Sequence, residues 1–265
     1  MLTVRVVKIG GNALDRPEWV ARCARGVGQI GPAVVVHGGG QAVSAWSRRL
    51  GLPVEQRDGL RVTTPEIAQL VEMVLGGPMN RLLVTALRTA GLDAIGLSGV
   101  DGGLLTAQPL ENGAALGEVG EIVNVRASLL QSLLLAGLTP VVAPVAPSLS
   151  APVRPLNVNA DQAAAAIAAA LGAQELLFVS DVPGVTIEGV AQPTLASAEI
   201  ESLIEAGVAT GGMAAKLRAA AQALGGGAGG AGVRAVRIGD LDMFEHATAG
   251  TRLLAAPPAP AVQPA

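Results

Sequence analysis

Two lysines, one aspartate and a set of glycine-rich turns carry the chemistry in this sequence. Lys8 lies at the end of the apolar run Val6-Val7-Lys8-Ile9, which passes at once into Gly10, Gly11 and Asn12. Glycines beyond a strand end let backbone N–H groups approach an anion, and a helix starting there adds a favourable dipole. The device recurs at Val34-Val35-Val36-His37-Gly38-Gly39-Gly40-Gln41. Neither turn is a GxGxxG fingerprint or a GxxxxGK[ST] P-loop, so neither mechanism transfers by motif. Adjacent glycines such as Gly39 and Gly40 suit backbone cradling of a bulky anion. His37 precedes that turn and is as suited to packing there as to moving a proton. A third turn, Thr210-Gly211-Gly212-Met213-Ala214-Ala215-Lys216, opens a helix with a lysine expected in its first turn. A cation there opposes the helix dipole unless an anion lies nearby, which makes Lys216 a second phosphate-facing cation.

Three further segments place polar groups beside apolar runs. In Gly59-Leu60-Arg61-Val62-Thr63 the arginine has the planar fork that matches a carboxylate, although a solvated side chain satisfies the same sequence. In Leu156-Asn157-Val158-Asn159-Ala160-Asp161-Gln162 two asparagines and an aspartate precede an alanine-rich helix. Asp161 is either a helix cap or, with its neighbours, part of a compact polar site. Val179-Ser180-Asp181-Val182-Pro183-Gly184-Val185 ends an apolar run in a turn, a place for a ribose or an adenine as well as for a plain reversal.

The elements that must position these residues follow from the hydropathy pattern. Short Val/Leu/Ile runs alternate with segments of helical spacing, the pattern of buried parallel strands joined by crossover helices. The runs predict strands near 3–9, 32–37, 93–97, 139–143, 175–180 and 233–238. Helices are predicted near 17–30, 40–50, 65–76, 79–90, 125–136, 160–171, 197–206 and 213–224, a doubly wound α/β layout. Residues 99–121 and 147–155 read as loops or small hairpins. The glycine run 225–232 reads as a flexible surface connection and Ala255 to Ala265 as a disordered tail.

Composition narrows the function classes. The chain has 265 residues, 18 Lys+Arg against 21 Asp+Glu and a net charge of −3, too weak for a nucleic-acid or membrane surface. Aromatic content is 2%, so aliphatic side chains and alanine must fill the core. A single cysteine, Cys23, forms neither an internal disulfide nor a cysteine-rich metal site. The N-terminus reads as a strand rather than a signal peptide, and the apolar stretch 129–146 is interrupted by Gln131, Gly137, Pro140 and Pro144. A cytoplasmic protein is the expectation.

Taken together, the motifs resemble the amino acid kinase family over nearly the whole chain. KIGGNAL, VVVHGGGQAV, GLRVT, VEMVL with Asn80, GLSGVDG, NVNADQAAAAIA, VSDVPGV and GGMAAK stand in the family's order and near its spacing. The resemblance implies an αβα sandwich with a mainly parallel central sheet. It implies one domain over 1–254, with an acyl amino acid lobe at about 1–155 and an ATP lobe at about 156–254. Carried over by motif, Lys8 and Lys216 stabilise the transferring phosphoryl group and Asp161 organises them. Gly10 and Gly11 fit a phosphate loop, while Gly39, Gly40, Arg61 and Asn157 fit the acyl amino acid site. Asp181, Val182, Pro183, Gly184, Val185 and Thr186, with Val208, Ala209 and Thr210, fit the nucleotide site. Pro78 departs from the pattern, standing where the family often has lysine.

The activity so implied is phosphorylation of the γ-carboxylate of N-acetyl-L-glutamate by MgATP in arginine biosynthesis. No protein-only metal cage is visible, so Mg²⁺ is expected to arrive on the nucleotide. A kinase for carrier-protein-linked aminoadipate or glutamate shares fold and chemistry, and a non-catalytic ligand-binding protein is the alternative from another class. Retention of Lys8, Lys216 and Asp161 argues against the last, because a binder needs no charge aimed at a transition state. Ile67, Leu70, Val71, Val74 and Leu75 form one helical stripe. The resemblance implies that this region also makes a two-fold contact, hence a homodimer.

Overall fold

The computed structural model describes residues 2–57, 59–110, 113–149, 154–226 and 232–255. The chain opens with β1 (Arg5–Ile9), α1 (Pro17–Gln29), β2 (Ala33–His37) and α2 (Gly40–Arg49), then a small hairpin, β3 (Gln56–Arg57) and β4 (Leu60–Arg61). Next, α3 (Pro65–Val71) runs through a wide π-type turn (Glu72–Met79) into α4 (Asn80–Thr89). β5 (Ala94–Ser98), β6 (Leu105–Pro109), β7 (Val119–Val125), α5 (Ala127–Leu135), β8 (Thr139–Ala143), β9 (Val145–Pro147) and β10 (Pro155–Val158) follow. The remainder is α6 (Ala160–Leu171), β11 (Glu175–Val179), the β12 (Thr186–Ile187) and β13 (Val190–Ala191) hairpin, β14 (Thr194–Ala196), α7 (Ile200–Glu205), α8 (Gly211–Leu224), β15 (Val236–Gly239) and β16 (Thr251–Leu254).

Eight strands form the central sheet in the order β14-β16-β15-β11-β1-β2-β8-β5. Six run parallel, and β16 pairs antiparallel with β15 while β14 follows β16. The β-branched and leucine runs of β1, β2, β8 and β11 are buried on both faces, as a sheet covered on both sides requires. On one face lie α5, α6 and α8 over Val6, Val36, Phe178 and Ile238; on the other lie α1 and α4 over Val7, Val35, Leu177 and Val179. This is an αβα sandwich. Ala163, Ala164, Ala165 and Ala168 of α6 are at most 1% exposed, and their small size lets that helix sit close against both β1 and α8.

Residues 99–121, expected as loops or small hairpins, hold the β6–β7 hairpin of a second sheet ordered β6-β7-β10-β9. Thr63 and Gly117 bridge this sheet to the segment after β4. The outer strands β14 and β16 are too short to register as apolar runs. The stripe Ile67, Leu70, Val71, Val74 and Leu75 is at most 5% exposed within the single chain, so the core uses it and it is not free for a second subunit. The helical run 65–89 is the one among the described residues long and apolar enough to span a membrane; it kinks at Gly77 and buries Leu83 and Leu87 in the core. Residues 227–231 of the glycine run and 256–265 of the expected tail lie outside the described residues.

Candidate active site

The sheet brings Lys8 to its centre: β1 lies between β11 and β2, and Lys8 is in register with Phe178 and Val36. The start of α6 stands above it. Asn159 caps that helix, its Oδ1 accepting from the N–H of Asp161 at 2.8 Å and of Gln162 at 3.3 Å. The cap therefore falls to Asn159, and the Asp161 carboxylate is left for other partners. It takes two: Lys8 Nζ at 2.8 Å and Lys216 Nζ at 3.1 Å, both on Oδ1. Lys216 is the sixth residue of α8, in its second turn rather than its first. The helix dipole explains less of its position than Asp161 does. The face of Phe178 supports it from below, 5.3 Å from Nζ to ring centre.

All three charges are buried, at 7% exposure for Lys8, 7% for Asp161 and 8% for Lys216. Burial by itself would raise the Asp161 pKa, but the two ammonium groups overcome it and hold the carboxyl below its ordinary value. Burial and the charge of Lys8 push Lys216 down to about 8 against the opposing pull of Asp161. Two cations on one anion leave a net positive charge in a desolvated place, which a phosphate would neutralise.

The glycine turns meet beside this triad. The Gly10 N–H donates to the Val179 carbonyl at 2.8 Å and the Gly38 N–H to the Ile9 carbonyl at 3.0 Å, tying the carboxyl ends of β11, β1 and β2 together. Ligands in open α/β sheets bind beyond such ends. A Cβ on Gly11 would stand 2.7 Å from the Gly39 nitrogen, so the two loops are in backbone contact. His37 is fully buried; its Nδ1 faces the Gly38 carbonyl at 2.9 Å and its Nε2 faces Asn80 Nδ2 at 3.2 Å. Asn80 also donates to the Val141 carbonyl at 2.9 Å. Burial lowers the His37 pKa to about 4, offset in part by the Gly38 bond and aided by Lys8. A neutral ring donating at Nδ1 and accepting at Nε2 satisfies this network, and packing rather than proton transfer is its role.

Two cavities share Lys8 and Asp161. The first, about 180 Å³, is lined by Gly38, Gly39, Gly40, Val43, Arg61, Val71, Leu75, Val119, Asn157 and Asn159, among others. Arg61, 9% exposed, donates through Nη2 to the Gly40 carbonyl at 2.8 Å and to Ser44 Oγ at 2.6 Å. Its Nη1 is buried without a partner. A buried unpaired guanidinium N–H is costly unless an anion completes it, so this one marks where a carboxylate belongs. Apolar Val43, Val71, Leu75 and Val119 supply the rest of the wall. The second cavity, about 340 Å³, is lined by Gly10, Gly11, Ser180, Asp181, Val182, Gly212, Met213 and Lys216.

Most of the site residues read from sequence thus converge. Lys8, Asp161 and Lys216 form one cluster; Gly39, Gly40, Arg61 and Asn157 line the first cavity; Gly10, Gly11, Asp181 and Val182 line the second. The second cavity does not reach Pro183, Gly184, Val185 or Thr186: Val185 is buried with its N–H on Thr251 Oγ1 at 2.8 Å, and Thr186 begins the β12–β13 hairpin. Ala209 and Thr210 line a neighbouring cleft with Gly59, Leu60 and Asn159, while Val208 is 41% exposed. Ser44 and Thr63 were not distinguished by sequence, because single hydroxyls are too common to single out; Asn159 was read as part of a polar site but not as the cap of α6. Among the described residues no cluster of three or more His, Cys, Asp or Glu could hold a metal ion.

Comparison with known proteins shows what the chain is similar to. The sequence model of the amino acid kinase family matches residues 3–238. An acetylglutamate kinase from Chloroflexus aurantiacus is 46% identical over 245 residues, 91% of this chain and 94% of that protein. One from Geobacillus kaustophilus is 46% identical over 221 residues, 83% of this chain and 84% of that protein. Among solved structures, smu.665 from Streptococcus mutans superposes with a TM-score of 0.81 at 28% identity, covering 96% of this chain and 99% of the other. Carbamate kinase from Giardia lamblia bound to AMP-PNP gives a TM-score of 0.70 at 16% identity over 96% and 99% of the chains, a likeness of fold alone.

Proposed function

This chain belongs to the amino acid kinase family, and on that premise we propose that it phosphorylates the γ-carboxylate of N-acetyl-L-glutamate with ATP, forming an acyl phosphate in arginine biosynthesis. One observation carries the proposal: Lys8 and Lys216 converge on Asp161 where two cavities meet, one of them holding an unpaired Arg61 N–H. The relatives at 46% identity support the free acetylated substrate over a carrier-linked one, and the buried cation pair supports catalysis over mere binding.

The chemistry needs no general base. A carboxylate with a solution pKa of about 4.3 is already ionised at neutral pH, so the obstacle is bringing two anions together. Arg61 and Asn157 receive the acyl amino acid in the first cavity, and its γ-carboxylate points toward Lys8. The nucleotide enters the second cavity, with its phosphates at Gly10, Gly11 and Lys216 and its nucleoside toward Asp181 and the neighbouring cleft at Thr210. Asp161 holds the two ammonium groups apart and aimed. Transfer breaks the bond between the γ-phosphorus and its bridging oxygen and forms one to the attacking carboxylate oxygen; the leaving ADP oxygen carries the electron pair. Positive charge fixed beforehand on both sides of that phosphorus is the catalytic device. Mg²⁺ carried on the nucleotide would neutralise further phosphate charge; the Asp161 carboxylate is engaged by Lys8 and Lys216, so we assign it no ligand role.

Within this account residues 1–155 and 156–254 act as the acyl amino acid and ATP lobes of one domain, the tail from Ala255 taking no part, and the reaction runs in the cytoplasm. We also assign a homodimer. Because the core uses the apolar stripe over 67–75, the contact falls to the outer side of the helical run 65–89, where Met73 is 67% exposed, and to β5 at the free edge of the sheet. Light scattering giving about twice 26.4 kDa supports it, and a monomer contradicts it. The activity itself is tested by trapping the acyl phosphate as a hydroxamate.

A further inference from the structure

We infer that Thr63 is a positioning residue of the acyl amino acid pocket: its buried hydroxyl, held between the Arg61 backbone carbonyl and the Asn157 carboxamide, sets how the Asn157 side chain faces the substrate. The inference rests on the reading of Arg61 and Asn157 as substrate-binding groups. The two come from separate elements, β4 and β10, and nothing in the local sequence relates them. Thr63 is 0% exposed and does not line the cavity, so it acts through its neighbours. Its Oγ1 donates to the Arg61 carbonyl at 2.8 Å and accepts from Asn157 Nδ2 at 3.1 Å.

A hydroxyl has one hydrogen. Once that hydrogen is spent on the carbonyl, only a donor satisfies the oxygen, so the amide end of Asn157 must face Thr63. The orientation of a carboxamide, usually ambiguous, is thereby fixed, and Asn157 Oδ1 and its second N–H remain for the pocket. The same bond holds the backbone at Arg61, whose head is pinned independently by the Gly40 carbonyl and Ser44. The peptide groups of Thr63 are occupied elsewhere: its N–H donates to the Leu116 carbonyl at 2.8 Å and its carbonyl accepts from the Glu118 N–H at 2.7 Å. The Asn157 N–H in turn donates to the Glu118 carbonyl at 3.0 Å. This backbone ladder does not involve the hydroxyl, so valine, nearly the shape of threonine, removes the two side-chain bonds and leaves the ladder in place.

The experiment compares Thr63→Val, Thr63→Ser, Asn157→Ala and the double variant Thr63→Val/Asn157→Ala by steady-state kinetics and thermal melting. Thr63→Val should raise KM for acetylglutamate about tenfold while KM for ATP and kcat stay within about threefold. Thr63→Ser, which keeps the hydroxyl, should return KM to within about threefold of the native value. In the Asn157→Ala background Thr63→Val should add no more than about twofold, since the partner it orients is gone. An unchanged KM in Thr63→Val, an effect undiminished in that background, equal rises in both KM values, or a Thr63→Val chain that does not fold would each overturn the assignment in favour of a structural role. If Asn157→Ala itself leaves KM for acetylglutamate unchanged, the substrate-site reading of Asn157 fails first, and that outcome is separate from a silent Thr63.

Discussion

Gly11 and Gly39 touch backbone to backbone, so that a Cβ on Gly11 would lie 2.7 Å from the Gly39 nitrogen. One loop follows β1 and opens the proposed nucleotide cavity; the other follows β2 and opens the acyl amino acid cavity. Their contact fixes the distance between the two reactants, and it depends on the absence of a side chain.

Gly11→Ala should therefore part the loops. The clash is with backbone, which does not swing aside, and a displacement of about 1 Å at reacting groups costs roughly a hundredfold in rate. We expect kcat to fall by about that factor, with a stability loss of about 1–3 kcal/mol from overpacking. Gly28→Ala in α1, where the nearest atom to the new methyl is Leu92 Cδ1 at 3.8 Å, is the control and should leave kcat unchanged. A Gly11→Ala enzyme of native kcat would show that the loops need not touch.

Arg61→Lys should raise KM for acetylglutamate about tenfold or more, because the Nη1 left unpaired by Gly40 and Ser44 has no counterpart in lysine. KM for ATP should stay within about twofold, as Arg61 does not border the second cavity. Equal shifts in both would move Arg61 out of the acyl amino acid site.

The Lys216 ammonium, held at about 8 by burial and by Lys8, must stay protonated to meet phosphate. The free enzyme loses that cation as pH rises through about 8, so kcat/KM for ATP should fall above that pH, and Lys216→Arg should flatten this limb even if its maximum is lower. A flat profile to pH 10 in the native enzyme would contradict the assignment.

His37 gives a pH dependence of stability with the opposite cause. Its folded value of about 4 lies below the ordinary 6.5, so the unfolded chain takes the proton first. The stabilisation by neutral His37 is complete above about pH 6.5 and is lost as pH falls toward 4, about 3 kcal/mol in all. Denaturation midpoints of native protein and His37→Gln at pH 7 and pH 5 measure it; the native midpoint should drop more. Equal drops would mean that His37 is not buried neutral.

The sequence was most legible where one physical demand dominates. Valine runs flanked by glycine could only be buried strands with open turns, and β1, β2, β8 and β11 lie where they were expected. Lys8 and Lys216 were legible as cations beside glycine turns, although a surface lysine in a tight turn satisfies the same sequence and Lys216 was expected one turn too early. Asp161 was ambiguous, since an aspartate at a helix start also caps; only the structure assigns the cap to Asn159 and frees the carboxylate. Of the β6–β7–β10–β9 sheet only small hairpins were legible, because Gly, Thr and Pro interrupt its hydrophobic period and its pairing is non-local. The stripe over 67–75 was ambiguous for a related reason: periodicity shows that a face is apolar, not whether the chain itself covers it, as it does here.

The most direct test of the central claim is hydroxamate capture with ATP, Mg²⁺ and free N-acetyl-L-glutamate, run on the native enzyme and on Lys8→Ala and Lys216→Ala. The account predicts acyl hydroxamate formed stoichiometrically with ADP by the native enzyme, and a kcat lower by about a hundredfold or more in either variant with folding retained. No hydroxamate from the native enzyme, or native kcat in either lysine variant, would contradict it.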